Sequence, residues 1–108
     1  MSEGVLETDG DERIVYVNQS ALRMLGSSEH TLIGAKLWDI FGPTDRNEGA
    51  RITERLRTDP KGKSQKLPLT LKGQLLTASF TPVWEHDVCT GLLVLLENFG
   101  NRKGPQAP

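Results

Sequence analysis

The chain has 108 residues, the length of a single domain with one modest core. Its 13 lysines and arginines nearly balance 14 acidic residues, and this net charge of −1 lacks the basic excess of a nucleic-acid-binding protein. A single cysteine, Cys89, excludes an internal disulfide, and the longest apolar run, Leu92–Leu96, is far too short to cross a bilayer.

Residues 5–18 predict a β-hairpin. Residues 5–8 and 14–17 are rich in strand formers, and the second run reads Ile-Val-Tyr-Val. Between them Asp9-Gly10-Asp11-Glu12 is a strong turn signal. We therefore expect two short antiparallel strands joined by this turn.

A helix of about two turns is predicted to follow the hairpin directly. Asn18 is a good N-cap, because its side-chain oxygen can accept amide hydrogens of the first helical turn. Ala21, Leu22 and Leu25 then share one face of a helix. Gly26 suits the left-handed residue that ends a helix. So short a helix is not stable alone and must pack on the rest of the domain.

Three further helices are predicted before residue 60. Ser28 is a second N-cap, and the short helix after it ends at Gly34. Residues 37–41 form a third short helix, which Gly42-Pro43 ends. Thr44 is predicted to cap a longer helix that runs to about Thr58.

The second half of the chain changes to a period of two, which indicates strands. Apolar side chains alternate with polar ones over 67–71 and again over 76–80. A loop is predicted over 85–90, and a last strand over 91–96. Pro68 cannot donate a backbone hydrogen bond, so its strand is expected at an edge of the sheet.

This order of elements predicts an α+β domain in which an antiparallel sheet carries its helices on one face. We assign residues 1–100 to that domain. Residues 101–108 are polar and rich in glycine and proline, and are expected to form a flexible linker or tail.

In this order and spacing the chain resembles a PAS domain. The similarity spans about residues 5–100, and its motifs are Thr8-Asp9-Gly10, Ile14–Asn18, Ala21–Gly26, Leu32-Ile33-Gly34, and Gly91 after Pro82-Val83. The resemblance implies a five-stranded antiparallel sheet of order 2-1-5-4-3, in which the Pro68 strand is an edge. It also gives structural roles to Asn18, Gly26, Gly34 and Gly91. In place of the family's Asp-Ile-Thr ending the chain has Asn98-Phe99-Gly100, which favours a flexible tether over a continuing helix.

No catalytic or metal-binding constellation is visible in the sequence. His30 and His86 lack a nucleophile or carboxylate in a known arrangement, and no lysine or arginine flanks Cys89 to stabilise a thiolate. Among the cofactors that PAS domains hold, haem needs a histidine that 44–58 lacks, and covalent flavin needs a cysteine that 36–41 lacks. A cinnamoyl-type chromophore would need a cysteine within residues 42–46, which contain none. We therefore predict no cofactor, while a small non-covalent ligand, flavin included, stays open.

An apolar space between helices and sheet is the candidate ligand pocket. Its expected lining residues are Trp38, Phe41, Ile52, Leu56, Leu69, Ala78, Phe80, Leu92 and Val94. These side chains can equally fill the core of so small a domain, and we favour that alternative. The small Ala78 is the one hint of spare volume.

The last predicted strand is apolar on both of its faces. Leu93 and Leu95 alternate with Leu92, Val94 and Leu96, whereas a sheet covered on one face should alternate apolar with polar residues. Leu93 and Leu95 are therefore candidates for a dimer face. A flanking helix, or a tolerated exposed patch, are the alternatives.

The function that we predict is a sensory or regulatory module, which binds a small ligand or dimerises to control an output domain outside this chain. The resemblance implies a parent such as a sensor histidine kinase, a cyclic-dinucleotide enzyme or a transcriptional regulator. A pure dimerisation domain with a filled core is the alternative. We expect a cytoplasmic homodimer that contacts neither nucleic acid nor membrane and is not itself an enzyme.

Overall fold

The computed structural model describes residues 3–40, 43–58, 64–71 and 74–98. Its strands are Gly4–Thr8 (β1), Ile14–Val17 (β2), Gln65–Leu71 (β3), Gln74–Glu85 (β4) and Val88–Asn98 (β5). Its helices are Gln19–Leu25 (α1), Glu29–Leu32 (α2) and Pro43–Thr58 (α3), with a 3-10 helix over Leu37–Ile40. The predicted tail 101–108, Phe99-Gly100 and the pocket candidate Phe41 lie outside the described residues.

The strands form one antiparallel sheet in the order β2-β1-β5-β4-β3, which confirms the predicted fold class and topology. Two hairpins, β1–β2 and β4–β5, are joined at the centre because β1 also pairs with β5. The row Leu6, Val94 and Phe80 crosses the three central strands in register, and all three side chains are fully buried. The core thus lies between the middle of the sheet and the helices.

The turn between β1 and β2 is built on the carboxylate of Asp9. One Asp9 oxygen accepts the backbone N–H groups of Asp11 at 2.9 Å and Arg13 at 3.0 Å. These hydrogen bonds, that from Arg13 first, lower the pKa of Asp9 from its ordinary value of 3.8. Glu12 takes a positive φ of 67° within the same turn. Local hydrogen bonding therefore closes the hairpin that the sequence predicted.

Both outer strands of the sheet have features that limit further pairing. At β2, the chain after α2 runs alongside, so that Ile14 N–H donates to Ala35 and Gly34 N–H donates to Ile14, at 2.9 and 2.8 Å. Gly34 has a φ of 92°, which favours glycine and supports its predicted structural role. At the other edge, β3 contains the exposed Pro68, which has no N–H to donate.

The capping signals of the first two helices are confirmed in detail. The Asn18 side chain accepts the Ala21 N–H at the start of α1, and Gly26 ends that helix with a φ of 63°. The hydroxyl of Ser28 accepts the Thr31 N–H at the start of α2. Each helix is therefore begun by a polar side chain that bonds an amide of the first turn.

Three elements differ from the sequence predictions. The loop predicted over 85–90 is wrong: β4 and β5 are joined by only His86-Asp87, with φ values of 51° and 67°. Two-residue hairpin turns usually contain Asn-Gly or Asp-Gly, so the sequence His86-Asp87 did not indicate a hairpin. The third short helix is a 3-10 helix, and α3 begins at Pro43, one residue before Thr44, because proline suits the first helical position.

Candidate functional site

The indole of Trp38 lies in the interior between α3 and the sheet. Trp38 belongs to the 3-10 helix and is 6% exposed. Its Nε1–H donates to the hydroxyl of Thr53 on α3 at 3.1 Å, and Thr53 is itself 2% exposed. The ring centroid is 5.1 Å from that of Phe80 on β4, with the planes tilted by 50°. A directional hydrogen bond and a tilted aromatic contact thus both help to hold the indole.

Gly49 on α3 provides the space for this indole. A Cβ atom at Gly49 would overlap Cε3 and Cζ3 of Trp38, so any other residue there would displace the ring. Gly49 and Thr53 are four residues apart and therefore share a helix face. We call Gly49, Thr53 and Phe80 the Trp38 seat. Sequence reasoning missed Gly49 and Thr53, although a glycine inside a helical pattern signals close packing.

The structure brings the predicted pocket residues together in one buried cluster. Eight of the nine lie in the described part of the chain and belong to that cluster: Trp38, Ile52, Leu56, Leu69, Ala78, Phe80, Leu92 and Val94. Ala78 pairs with Leu67 on one side and Leu96 on the other, and all three are buried. Their side chains therefore pack as a core in this part of the chain, and ligand binding by them stays a prediction.

A cleft of about 310 Å³ lies at the edge of that cluster, beside α2 and the 3-10 helix. Its walls are Leu25, Ser27, Thr31, Leu32, Ala35, Asp39 and Ile40. None of the eight predicted pocket residues in the described part of the chain lines it. Its walls come from α1, α2, the 3-10 helix and the segments between them, and sequence reasoning missed the cleft because no local pattern fixes how these elements pack.

The face of the sheet that points away from the helices, here called the outward face, has an apolar centre. Along β5, Leu92, Val94 and Leu96 are at most 2% exposed, whereas Leu93 and Leu95 point the other way and are half-buried. Val5 of β1 pairs with Leu95, and Glu7 pairs with both Leu93 and Tyr16.

On the other side of β5, the β4 residues Ser79 and Thr81 pair with Leu95 and Leu93. Tyr16 is 48% exposed, and sequence reasoning had not placed Val5 or Tyr16 beside the predicted dimer-face leucines. Only the register between strands shows that they are neighbours. The outward face therefore has a small apolar centre with polar residues beside it.

Gly91 lies where β1 and β5 approach each other so closely that only glycine fits. A Cβ on Gly91 would collide with the carbonyl oxygen of Thr8. Next to it, the Thr8 hydroxyl accepts the buried N–H of Leu92 at 3.1 Å and so continues the pairing of the two strands. This contact supports the structural role predicted for Gly91.

The titratable residues that sequence reasoning considered do not meet in the structure. His86 lies in the β4–β5 turn and His30 in α2, both exposed, while the half-buried Cys89 thiol contacts the carbonyl of Gly91 at 3.5 Å. Among residues 3–40, 43–58, 64–71 and 74–98, no three histidine, cysteine or acidic side chains are grouped to hold a metal ion. The indole N–H of Trp84, near the same turn, is buried and has no hydrogen-bond acceptor among the residues that the structure describes.

No helix in the described part of the chain has the length and apolar character needed to span a membrane. A family model described as "PAS domain" matches residues 2–98. No curated protein matches the chain.

Solved structures share this fold at low sequence identity. A PAS domain of a protein from Colwellia psychrerythraea is 15% identical, with a TM-score of 0.76 over 93% of this chain and 88% of that one. A sensory box sensor histidine kinase from Vibrio cholerae is 15% identical, with a TM-score of 0.71 over 91% and 82%. The sensor region of a sensor histidine kinase is 19% identical, with a TM-score of 0.75 over 93% of this chain but 40% of that one.

Proposed function

The chain belongs to the PAS domain family, and from that premise we propose that it is a sensory or regulatory module that dimerises through its outward face to control an output domain outside this chain. The two sensor histidine kinases that share its fold support a signalling role. In this role the chain regulates chemistry performed elsewhere and is not an enzyme. We also keep the proposals that it works in the cytoplasm and contacts neither nucleic acid nor membrane.

The observation that supports dimerisation is the apolar centre of the outward face. Leu93 and Leu95 are in the central strand of the sheet, and Val5 lies beside Leu95 in β1. These two leucines do not belong to the buried core on the helix side of the sheet. The residues of β5 that pack in that core are Leu92, Val94 and Leu96. A two-fold contact between two such faces would bury both copies of each residue.

The expected strength of this contact is modest, because the leucines are already half-buried in one copy. Full burial of an exposed leucine contributes about 1.5 to 3 kcal/mol, so four leucines that are at most about a third exposed contribute roughly 2 to 4 kcal/mol at most. The two Val5 side chains, which are exposed to a similar extent, add roughly 1 to 2 kcal/mol at most. Association costs at least about 4 kcal/mol, which leaves at most about 2 kcal/mol and a Kd of about 30 mM or weaker. Such a contact suits a module whose parent chain holds two copies close together.

Analytical ultracentrifugation of the wild type and of Leu93→Glu at up to about 2 mM tests this proposal, because a Kd of about 30 mM would still pair roughly a tenth of the chains at that concentration. The mean mass of the wild type should therefore rise by roughly a tenth above that of a monomer. Leu93→Glu should abolish that rise and leave the fold intact, because the carboxylate would face water in a single copy.

The matched control is Ile33→Glu, the same kind of change at a 40% exposed site beside α2 on the helix side. It should associate like the wild type. A wild-type mass at 2 mM that only equals that of Leu93→Glu would contradict a contact of this strength, and association that survives Leu93→Glu would show that another surface makes the contact. Because Leu93 pairs with Glu7, Leu93→Lys is tested alongside, and unfolding of both variants would show that Leu93 belongs to the core.

A further inference from the structure

We propose that the cleft beside α2, here called the α2 cleft, is a binding site for a compact molecule that combines an aliphatic body with one positive charge. No residue of α3 or of the sheet lines this cleft, so it is separate from the buried cluster between those two elements. The inference does not rest on dimerisation through the outward face.

The α2 cleft has the size and the lining of a site for a small molecule. Such sites enclose about 300 to 1,000 Å³ and are mostly apolar, with a few polar groups that orient the ligand. The volume of about 310 Å³ is at the lower end of that range and therefore selects a compact ligand. Ser27 and Thr31 contribute two hydroxyl groups to the lining. Four lining residues are aliphatic: Leu25, Leu32, Ala35 and Ile40.

The charge of the lining favours a cation. Asp39 is the one charged side chain among the seven lining residues. Basic side chains of the neighbouring segments donate to backbone carbonyls, Lys36 to that of Asp11 at 2.8 Å. Arg13 likewise donates to that of Gly34 at 2.9 Å. A carboxylate beside an aliphatic surface attracts an ammonium group and repels an anion, and because Asp39 is exposed, water and salt reduce this preference to several-fold.

A ligand in the α2 cleft would contact the segments that join the helices to the first hairpin. Ala35 lines the cleft, and its carbonyl accepts the N–H of Ile14 at the β2 edge at 2.9 Å. The 3-10 helix also lines the cleft, and at its start the Leu37 N–H donates to the Glu12 carbonyl of the β1–β2 turn at 2.8 Å. Occupation of the cleft would stabilise both connections and give the domain an input on the side opposite to its outward face.

The first test titrates the wild type with three probes of one shape, cyclohexylmethylammonium, cyclohexylmethanol and cyclohexanecarboxylate, at equal ionic strength. For molecules of about eight non-hydrogen atoms we expect a Kd of about 1 mM for the ammonium probe. With that probe at about 5 mM, the backbone amide NMR signals of Ser27, Thr31, Ala35 and Asp39 should shift, and that of Leu93 on the outward face should not. The alcohol should bind at the same place several-fold more weakly, and the carboxylate should not bind.

Two pairs of matched variants test the residues of the cleft. Asp39→Asn should weaken binding of the ammonium probe several-fold and leave binding of the alcohol unchanged. Asp87→Asn makes the same change of charge at an exposed site in the β4–β5 turn and should alter neither. Ala35→Leu should fill the cleft and abolish binding of both probes, whereas Ala50→Leu, at an exposed site of α3, should bind both like the wild type.

Three results would overturn the proposal. The first is an ammonium probe that leaves the four cleft amides unshifted at 5 mM, and this result needs no variant to fold. The second is equal binding of the ammonium and carboxylate probes, and the third is binding of the ammonium probe that Asp39→Asn does not weaken. Because the outward-face proposal is tested by mass and this one by shifts of amides in the cleft, failure of one is distinguishable from failure of the other.

Discussion

Replacement of Asn18 by alanine should destabilise the domain by more than the loss of one helix cap. The side-chain oxygen of Asn18 accepts two backbone N–H groups, those of Ala21 in α1 and Val5 in β1, each at 2.9 Å. The side-chain nitrogen donates to the carbonyl of Glu3 at 3.1 Å. One amide group therefore fixes the start of α1 to the first residues of the sheet.

The expected loss follows from these three bonds. Loss of an N-cap costs about 1 kcal/mol. The part-buried N–H of Val5 would also lose its acceptor, which costs roughly 1 to 2 kcal/mol if water reaches it only partly. The exposed bond to Glu3 contributes little. We expect a total of roughly 2 to 3 kcal/mol, which corresponds to roughly 8 to 12 °C in the thermal midpoint of a domain of this size.

Urea denaturation of the wild type and four variants, Asn18→Ala among them, measures this loss. Asn18→Asp keeps both acceptor bonds and should lose less than about 1 kcal/mol, because only the donated bond is gone. Asn18→Ser retains the cap but is too short to bridge to Val5, so it should fall between the other two. Asn47→Ala, an exposed Asn→Ala change in α3, should be neutral or slightly stabilising. A loss below 1 kcal/mol in Asn18→Ala would refute the bridging role of this side chain.

Three further predictions follow from other parts of the molecule. The lowered pKa of Asp9 contributes stability above its ordinary value of 3.8 that is lost as the pH falls through the lower folded value. As the pH is lowered from about 5 to about 2, the thermal midpoint of the wild type should therefore fall relative to that of Asp9→Asn, whose side chain cannot titrate. Parallel curves of midpoint against pH for the two proteins would exclude the effect. Gly91→Ala should cost about 3 kcal/mol or unfold the chain, whereas Gly10→Ala, whose Cβ would meet Cys89 O at 3.8 Å, should be nearly neutral in denaturant titrations. Purified protein should show no visible absorbance, and a Soret or flavin band would contradict that prediction.

The parts of the fold that could be predicted are those set by local chemistry. Asn18, Gly26 and Ser28 act on amide and carbonyl groups only a few residues away, so their positions in the sequence were enough to place the helix ends. The period of two in the second half predicted β3 and β4, a short apolar run predicted β5, and Pro68 predicted the edge. The order of all five strands came from the PAS resemblance and not from periodicity alone.

The parts that were missed depend on contacts between distant elements or on unusual turn residues. The fit of Trp38 against Gly49 involves two helices whose packing no local pattern fixes. His86 and Asp87 adopt positive φ angles because the long pairing of β4 with β5 offsets their small conformational cost. The half-burial of Leu93 likewise depends on its cross-strand neighbours. The apolar character of Leu93 and Leu95 was visible in the sequence, but how far the two side chains are exposed was not.

The way the two sheet edges are finished also limits how copies of this chain can assemble. An open edge would let strands add one after another without end, which is the route to fibres. Here the backbone of Ile14, at the β2 edge, is already hydrogen-bonded to Ala35 and Gly34. At the β3 edge, Pro68 has no backbone N–H to donate. Face-to-face contact across a two-fold axis is self-limiting, since each face is used once. At high concentration the chain should therefore form discrete pairs and remain clear, instead of growing into filaments or a gel.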